Sequence, residues 1–567
     1  MPKQIYGNIF QKSNNMLTMF IRTKPIVNSS RKRVQICASH RIGDKVKQKV
    51  IRHVGIADND SHLDELKKLA EVLLKKLKNE QIGPTLFDLS EMTEKQIDTA
   101  TEKQALPALQ PKVEPSVSLV AIESMREERR VVDGFHEIFG TLFNQLGFNS
   151  ILKGKHKDVL RDVVLARIAH PASKSATQQI LAADFGREVE LDRIYRMMDA
   201  LLEQKEAAQK TVFFATEQCC FGKIDLMLFD VTTLYFESTD DDELRQFGYS
   251  KDQKFHTTQV VLALATASNG LPIGYRLFPG NTADVSTLII AIQEWKKIIP
   301  IGEVRIVADR AMMTEKNLQF LEEQKIQYIV AAKLKKQTPN IREQILNTSK
   351  DKSGVVLDQR IGQRRLVVTF CTDRRKKDAH DRDRILQKID KKIGKGKNAK
   401  KLVSNSGYQK YLSCTGESKL FLDAEKIAQD AVWDGLHGVI TNCADSSTEE
   451  LLSQYRRLWV IEESFRLHKH TLSLRPIYHF KPERVEAHIL ICFLAFALMR
   501  HLEFRVTLQQ EKISMNEMRA ALWRVQSSYL REDGTEARYR LPSAMSVTAR
   551  KLYQVMGIKR TQTAKKM

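Results

Sequence analysis

The sequence contains few cysteines and no long apolar run. Its seven cysteines are scattered, and the adjacent pair Cys219–Cys220 lacks the CxxC spacing of zinc and redox motifs. Nothing resembles a disulfide scaffold, which indicates a reducing compartment such as the cytoplasm. The longest apolar run, Ile489 to Met499, has 11 residues and is too short to span a bilayer. The N-terminus shows no apolar stretch typical of a secretion signal.

Positive charge is what the chain has in excess. Lys and Arg number 91 against 69 Asp and Glu, a formal net charge of +22. This excess favours a polyanionic partner, with nucleic acid first and an anionic membrane surface second. The hydrophobic fraction of 42% is ordinary for a soluble globular protein. A chain of this length predicts about three or four domains.

Hydrophobic periodicity and turn residues divide the chain into segments. Residues 16–56 alternate like short strands with a turn at Gly43–Asp44, and a helix capped by Ser61 follows. Residues 223–335 show the order β-β-β-α-β-α-β of a mixed α/β sheet. The predicted segments are an N-terminal β-meander plus helix module (1–97), a linker (98–117), a helical DNA-binding domain (118–222), a first core part (223–335), an insertion (336–432), a second core part (433–510) and a C-terminal helical and basic tail (511–567).

Two of these segments have alternative interpretations. Three helices within 118–222 have a spacing compatible with a helix-turn-helix DNA reader, or with a plain helical bundle. Residues 374–401 carry 13 Lys and Arg against four Asp, and Gly394 and Gly396 argue against one continuous helix. This basic stretch is either a solvated loop or a strip that tracks phosphates. The last 16 residues are basic and are predicted to fray.

Three acidic residues indicate the chemistry. Asp230 and Asp309 each end or follow a short apolar run, and Glu462 lies in a predicted helix that starts at Thr448 and continues to about Leu472. A carboxylate at the end of a buried strand is costly unless a cation or partner compensates it. Mg²⁺ prefers oxygen ligands, and paired ions of this kind promote in-line displacement at phosphorus. The set therefore points to phosphodiester chemistry.

Each acid also has an ordinary explanation. These are a local turn with Thr232 and Thr233 for Asp230, pairing with Arg310 for Asp309, and surface charge beside Glu463 or pairing with Arg466 for Glu462. An intrahelical pair contributes only ~0.2–0.5 kcal/mol. The helix adds support, because Tyr455, Glu462 and Lys469 recur every seven residues and share one face of a regular helix.

At these residues the sequence resembles the DDE transposases of bacterial insertion sequences. Within that family it is similar to the group with a Y-x2-R-x3-E-x6-K signature, on whose Tyr, Glu and Lys positions Tyr455, Glu462 and Lys469 fall. Asp230 and Asp309 match the two aspartates. The signature arginine is replaced by Leu458, so that its phosphate contact would pass to a neighbouring arginine. The resemblance covers about 220–505.

The resemblance implies a fold, a mechanism and partners. The fold is an α/β, ribonuclease-H-like mixed sheet interrupted by a largely β insertion, with N-terminal β+α and all-α DNA-binding regions. Two Mg²⁺ ions, for which Mn²⁺ substitutes, would be held by the three acids. Water would cleave double-stranded DNA at the element's ends, and the freed 3′-hydroxyl would join target DNA, in a homodimer that pairs two ends. The implied DNA-binding residues are Tyr455, Arg456, Arg457, Arg466 and Lys469.

Other interpretations remain open at this stage. The protein is alternatively an endonuclease of the same fold that does not join DNA, or a catalytically inactive DNA-binding remnant. Trp433 or Trp459 either stacks on an extruded base or belongs to the core. The segments 247–252 and 279–284 are either active-site loops or ordinary turns.

Overall fold

The computed structural model describes most of the chain beyond residue 121. The described residues are 18–25, 32–42, 45–57, seven helical positions between 63 and 74, 122–220, 223–236, 240–248, 257–299, 304–312, 314–348, 352–393, 406–414, 420–472, 474, 477, 479–509 and 513–567. The predicted turn at Gly43–Asp44, the cap at Ser61 and the linker 98–117 lie outside them. The chain forms two compact units, one of Met1–Leu142, Ala183–Gly186 and His501–Met567, the other of Phe143–Ala182 and Arg187–Arg500.

The described elements are numbered in chain order. The strands are β1 Thr18–Pro25, β2 Lys32–Ile42, β3 Lys45–Ala57, β4 Met125–Val132, β5 Leu226–Tyr235, β6 Gln259–Ala267, β7 Pro272–Pro279, β8 Arg305–Ala308, β9 Gln327–Ala331, β10 Gly354–Ile361, β11 Arg364–Phe370, β12 Leu412–Cys414, β13 Leu420–Leu422, β14 Leu436–Thr441, β15 Gln526–Glu532, β16 Arg538–Pro542 and β17 Lys565–Lys566. The helices are α1 Gly134–Gln145, α2 Gly154–Ala169, α3 Lys174–Ala183, α4 Leu191–Glu203, α5 Lys205–Cys219, α6 Asp284–Ile298, α7 Glu315–Glu323, α8 Pro339–Asn347, α9 Thr372–Ile393, α10 Ser406–Gln409, α11 Ala424–Ala431, α12 Thr448–Arg456, α13 Trp459–Arg466, α14 Pro482–Gln509, α15 Met515–Trp523 and α16 Val547–Met556.

The first unit contains two antiparallel sheets. Strands β1, β2 and β3 form the N-terminal sheet, whose apolar side chains pack with helical residues between 63 and 70. This confirms the predicted β-meander followed by a helix. The second sheet has the order β17-β16-β15-β4. Strand β4 corrects the prediction that 118–222 is helical throughout, because its sequence MREERRVV exposes five consecutive residues at a sheet edge and lacks the alternation of a half-buried strand.

The C-terminal residues are ordered in this unit, which corrects the prediction that the last 16 residues fray. Lys566 pairs with Tyr539 of β16. The side chain of Arg560 is only 3% exposed and donates to Asp133, to Ser527 Oγ and to the carbonyl of Gln526 at 2.8–3.0 Å. A buried ion pair is not visible in a pattern of basic residues, and for this reason composition alone suggested a loose tail.

The second unit is built on an eight-stranded sheet with the order β10-β11-β14-β9-β8-β5-β6-β7. Strands β5, β6 and β7 form an antiparallel meander, and β6 is joined to β7 by a hairpin turn at Asn269–Gly270, where Gly270 has a φ of 81°. Strands β8 and β9 then continue parallel to β5. A meander extended by parallel strands on the side of its first strand is the ribonuclease-H-like arrangement, so the predicted ribonuclease-H-like mixed sheet is confirmed.

The two faces of this sheet pack against different sets of helices. One face packs with α6, α7 and α8 around a core that includes Phe229, Trp295 and Tyr328, each at most 1% exposed. The other face is contacted by α12 on β8 and β9, and by α13 on β5 and β6. Helix α14 packs on this second face as well, where Phe493 lies 4.8 Å from Tyr275 between ring centroids.

The predicted insertion is mixed rather than largely β. Its first strands, β10 and β11, extend the main sheet through β14. The 22-residue helix α9 follows, and β12, β13 and α11 pack on it around Ile389. The basic stretch therefore begins as a helix, which corrects the loop interpretation for residues 374–393; residues 394–401 lie outside the described ranges.

Helix α14 is an apolar helix that contains the longest apolar run of the sequence, Ile489 to Met499. Within the described part of the chain, α14 is the helix whose length and composition would allow it to cross a membrane, with a mean hydropathy of 1.6 over its most apolar window. However, 94% of that window is buried inside the protein. Burial of this kind is typical of a core helix in a folded domain.

Candidate functional site

Asp230 and Asp309 follow a paired position on two neighbouring strands. The parallel register pairs Phe229 of β5 with Ala308, the last residue of β8, and each of these residues is followed by an aspartate. Phe229, Val231 and Ala308 belong to the core on the first face, so alternation directs Asp230 to the opposite face. Asp230 lies within β5, which continues to Tyr235, and this corrects its prediction as a strand-end residue.

A buried asparagine fixes the backbone after Asp309. The chain turns there into a short 3₁₀ segment, in which Met312 N–H donates to the carbonyl of Asp309. Asn317, only 1% exposed, donates from Nδ2 to the carbonyls of Met312 (3.0 Å) and Val285 (2.8 Å). Exposed Asp309 is thereby held on a rigid turn.

Glu462 and Tyr455 lie on two short helices rather than on one. Ser447 caps α12 by accepting from Glu450 N–H. At the end of α12, Arg457 and Leu458 donate to carbonyls three residues back, which makes a 3₁₀ joint before α13. The predicted continuous helix is therefore wrong, and residues Leu467–Thr471 form a π-helical turn. Glu462 nevertheless acts electrostatically on Tyr455, since its charge adds to the rise in the pKa of the tyrosine.

The adjacent glutamates Glu462 and Glu463 have different environments. Glu463 forms ion pairs with Arg466 (3.5 Å) and with Arg500 of α14 (3.9 Å). Arg500 is 7% exposed and also donates to the carbonyl of Gly270 at the β6–β7 turn. Glu463 therefore anchors α13 to the fold, while Glu462 is exposed on the helix.

His437 is a site residue that the sequence analysis missed. It lies on β14 and contacts Tyr455, with ring centroids 5.0 Å apart and a tilt of 41°. Burial and, after it, nearby Arg374 lower the pKa of His437 to about 4, whereas Asp309 opposes the shift. Burial raises the pKa of Tyr455 to about 12, with Asp309 and Glu462 adding to the rise. A polar residue inside the apolar run LHGVIT was the available signal.

These couplings bring together carboxylates and cations from four parts of the chain. Arg310 and Arg374 influence both His437 and Tyr455, and Arg456 influences His437. Of the two arginines beside the missing signature position, Arg456 is thus the one coupled to the site, whereas Arg457 is half-buried at the joint. Buried Leu458 occupies the signature position itself.

The remaining predicted residues lie along or beyond α13. Arg466 is 71% exposed at its side chain, and Lys469 is half-buried in the π-helical turn. Trp459 is 58% exposed at the start of α13, which corrects the expectation that it belongs to the core. Trp433 instead packs against the main core.

The two glycine-containing loops contact each other beside the start of β6 and the end of β7. A Cβ on Gly248 would lie 2.1 Å from the carbonyl oxygen of Gly280, and Gly280 N–H donates to the carbonyl of Leu244. Gln259 also donates to Gly280 O at 2.8 Å. This packing requires glycine at both positions, and residues 249–256 lie outside the described ranges.

The donors suit a hard divalent cation in type, because all three are carboxylates. Within the part of the chain that the structure describes, however, no group of three or more His, Cys, Asp and Glu side chains is close enough to hold a metal ion. The predicted trio is thus not a closed cage: Asp230 and Asp309 each follow one member of the pair Phe229–Ala308, and Glu462 influences Tyr455 electrostatically.

Comparison with known proteins identifies the family. Residues 222–498 match the family described as the transposase DDE domain, a range that includes every residue of the site above. No curated protein matches the chain. Among solved structures, a cryo-electron microscopy structure of a piggyBac transposase synaptic complex with hairpin DNA is similar at 10% identity, covering 69% of this chain and 77% of that chain, with a TM-score of 0.35, too low to support a conclusion. On this match, residues 222–498 of the chain belong to the family of transposase DDE domains.

Proposed function

We propose that this protein cleaves double-stranded DNA at the ends of an insertion sequence and joins the freed 3′-ends to target DNA. The observation that carries the proposal is the register of Asp230 and Asp309 beneath the helix that bears Glu462. Neighbouring strands lie ~4.8 Å apart, so two in-register carboxylates can face one cation.

Asp230, Asp309 and Glu462 would hold two Mg²⁺ ions, with Mn²⁺ as a substitute. When bound, such ions activate the attacking oxygen and stabilise the leaving one in displacement at phosphorus. Glu463 is already used by Arg500 and Arg466, which favours Glu462 as the third ligand. Since the described side chains do not close a cage, we expect α13 or the Glu462 side chain to move inward when DNA and metal bind.

The side chains around the acids would position the DNA backbone. Tyr455 remains protonated at neutral pH because its pKa is raised, so its hydroxyl can donate to a phosphate oxygen. Arg456 brings a cation to the same site, and Arg457, Arg466 and Lys469 extend the positive charge along the segment. Exposed Trp459 is available to stack on a base.

The test is metal-dependent cleavage of the DNA that borders the gene. We expect Asp230→Asn, Asp309→Asn and Glu462→Gln each to abolish cleavage while DNA binding and the unfolding transition persist. Matched controls are Asp225→Asn, an exposed carboxylate on the approach to β5, and Glu449→Gln in the first turn of α12. Wild-type cleavage by any of the three site variants would refute the assignment.

A second assay separates transposition from simple nuclease activity. Pre-nicked ends with free 3′-hydroxyls are incubated with supercoiled plasmid and divalent metal, and joined product is scored. A transposase joins these ends, whereas an endonuclease of the same fold does not. Sedimentation with end DNA tests the proposed homodimer, because pairing two ends requires two copies of the site.

A further inference from the structure

The longest basic element near the site is helix α9 of the insertion. It carries nine Lys and Arg against five Asp over 22 residues. Its apolar side chains, among them Ile385 and Ile389, pack into a small core with Tyr411 and Leu412. This core fixes the rotation of the helix, so the direction of its charged side chains follows from the sequence.

Four cations form one stripe opposite the packed side. Lys377, Arg384, Lys388 and Lys391 are exposed and are separated by seven, four and three residues. At 100° per residue these steps keep all four within about 40° of one line along the helix. The stripe extends over about 21 Å, since each residue advances a helix by about 1.5 Å. We refer to these four residues as the cationic stripe.

The first half of α9 is attached to the sheet beside the acidic site. Arg382 forms an ion pair with Asp434 at 2.6 Å, and each side chain is 11% exposed. Asp378 accepts from the N–H of Gly435, two residues before His437. A Cβ on Gly435 would lie 2.9 Å from Cβ of Arg375, so α9 and the residue before β14 approach as closely as a glycine allows.

Arg374 connects the stripe to the site. It lies in the first turn of α9 and is half exposed. Its charge adds to the lowering of the pKa of His437 and opposes the rise in the pKa of Tyr455. Thr369, three residues before α9 begins, pairs with His437, so the helix begins beside the site residue His437 and the cationic stripe lies further along it. A strand of duplex DNA presents a phosphate about every 3.4 Å along its axis, so the stripe matches about six successive phosphates.

We propose that the cationic stripe binds the phosphate backbone of the duplex whose scissile bond occupies the acidic site, with Arg374 at the site end. The proposal rests on the function proposed above and assigns a DNA-tracking role to the insertion. Phosphate contacts of this kind fix the register of the duplex without reading its sequence. Binding through the stripe is therefore independent of base sequence and decreases steeply with salt.

The first experiment compares two fourfold variants of the full chain. Lys377→Gln, Arg384→Gln, Lys388→Gln and Lys391→Gln are combined, and the control combines Lys297→Gln, Lys316→Gln, Lys325→Gln and Lys336→Gln, all exposed and remote in sequence from α9. The probe is a duplex of about 30 base pairs of arbitrary sequence, titrated without divalent metal over a range of salt. We expect the stripe variant to bind about tenfold or more weakly at moderate salt, with a log–log salt slope reduced by about 3 to 4.

The second experiment needs no stripe substitution. Lysine acylation is mapped on Asp230→Asn protein with and without the same duplex, so that neither cleavage nor metal is required. We expect DNA to protect Lys377, Lys388 and Lys391 but not Lys297 or Lys316. Equal labelling of the stripe with and without bound DNA, or equal salt slopes for the two fourfold variants, would overturn the proposal. A protected stripe without cleavage by wild-type protein would instead count against the proposed function alone.

Discussion

His437 of β14 and Tyr455 of α12 contact each other through their rings, with centroids 5.0 Å apart. The histidine holds the tyrosine where Asp309 and Glu462 both act on it. Because its pKa is about 4, His437 is neutral at physiological pH and adds no charge beside the phosphate that Tyr455 is proposed to bind. We therefore interpret His437 as a residue that positions Tyr455.

Replacing this histidine is expected to change how stability depends on pH. The folded-state pKa of His437 lies below its ordinary value of 6.5, so the unfolded chain takes up the proton first as pH falls. The contribution of neutral His437 to the free energy of unfolding is complete above pH 6.5 and is lost between pH 6.5 and about pH 4. As pH falls through this window, the free energy of unfolding of His437→Phe should thus decrease less than that of wild type, by at most about 3 kcal/mol. Denaturant unfolding at each pH measures the difference. Parallel pH profiles for the two proteins, with exposed His380→Asn as the control, would disprove the assignment.

The two neighbouring glutamates are expected to respond in opposite ways to loss of charge. Glu463→Gln removes the carboxylate that pairs with buried Arg500, which should lower the free energy of unfolding by about 1–3 kcal/mol. Glu462→Gln should leave stability unchanged or slightly raised, because it reduces repulsion among site carboxylates. Chemical denaturation measures both. If Glu462→Gln proved the more destabilising change, Glu462 would be the structural residue instead.

Arg560 is expected to be essential for the stability of the C-terminal sheet. Arg560→Leu leaves Asp133, which is 12% exposed, with one fewer cation and removes the donors to Ser527 and Gln526. Breaking a buried ion pair typically costs ~3–5 kcal/mol. Urea unfolding and protease cleavage within 557–567 should both show the loss, whereas exposed Arg550→Leu should behave like wild type. Protease resistance equal to wild type would contradict the role of Arg560.

Lys174 is a fully buried cation whose removal is expected to stabilise the protein. It lies 3.1 Å from His488 Nδ1, and burial, followed by Arg167, lowers its pKa from 10.5 to about 7. Between these values the unfolded chain binds more protons, so stability rises with pH across that window. Lys174→Gln retains a donor for His488 and should raise stability near pH 7 by on the order of 3 kcal/mol, with a smaller pH dependence between 7 and 10. Destabilisation at every pH would show that the ammonium group is required.

The catalytic sheet could be predicted because its order is local in the sequence. Strand–turn–strand signals such as Asn269–Gly270, followed by alternating helices and strands, define a meander continued by parallel strands. The two aspartates could also be predicted as site residues, since each ends or follows an apolar run in the sequence. Their register followed only from the pairing of β5 with β8.

What the sequence did not reveal depends on long-range contacts. Strand β4 pairs with β15 almost 400 residues later, and its charged side chains carry no strand periodicity. His437 becomes a site residue only because β14 lies beside β9 and under α12. No proline or glycine marks the helix break at Leu458 in the sequence. The break consists of backbone hydrogen bonds to carbonyls three residues back instead of four.

The most direct test of the account is anomalous diffraction from crystals of the protein with end DNA and Mn²⁺. We predict manganese peaks within coordination distance of both Asp230 and Asp309, with Glu462 brought in as the third protein ligand. Well-ordered end DNA in the site with manganese bound elsewhere, or ligated without the two in-register aspartates, would contradict the central claim.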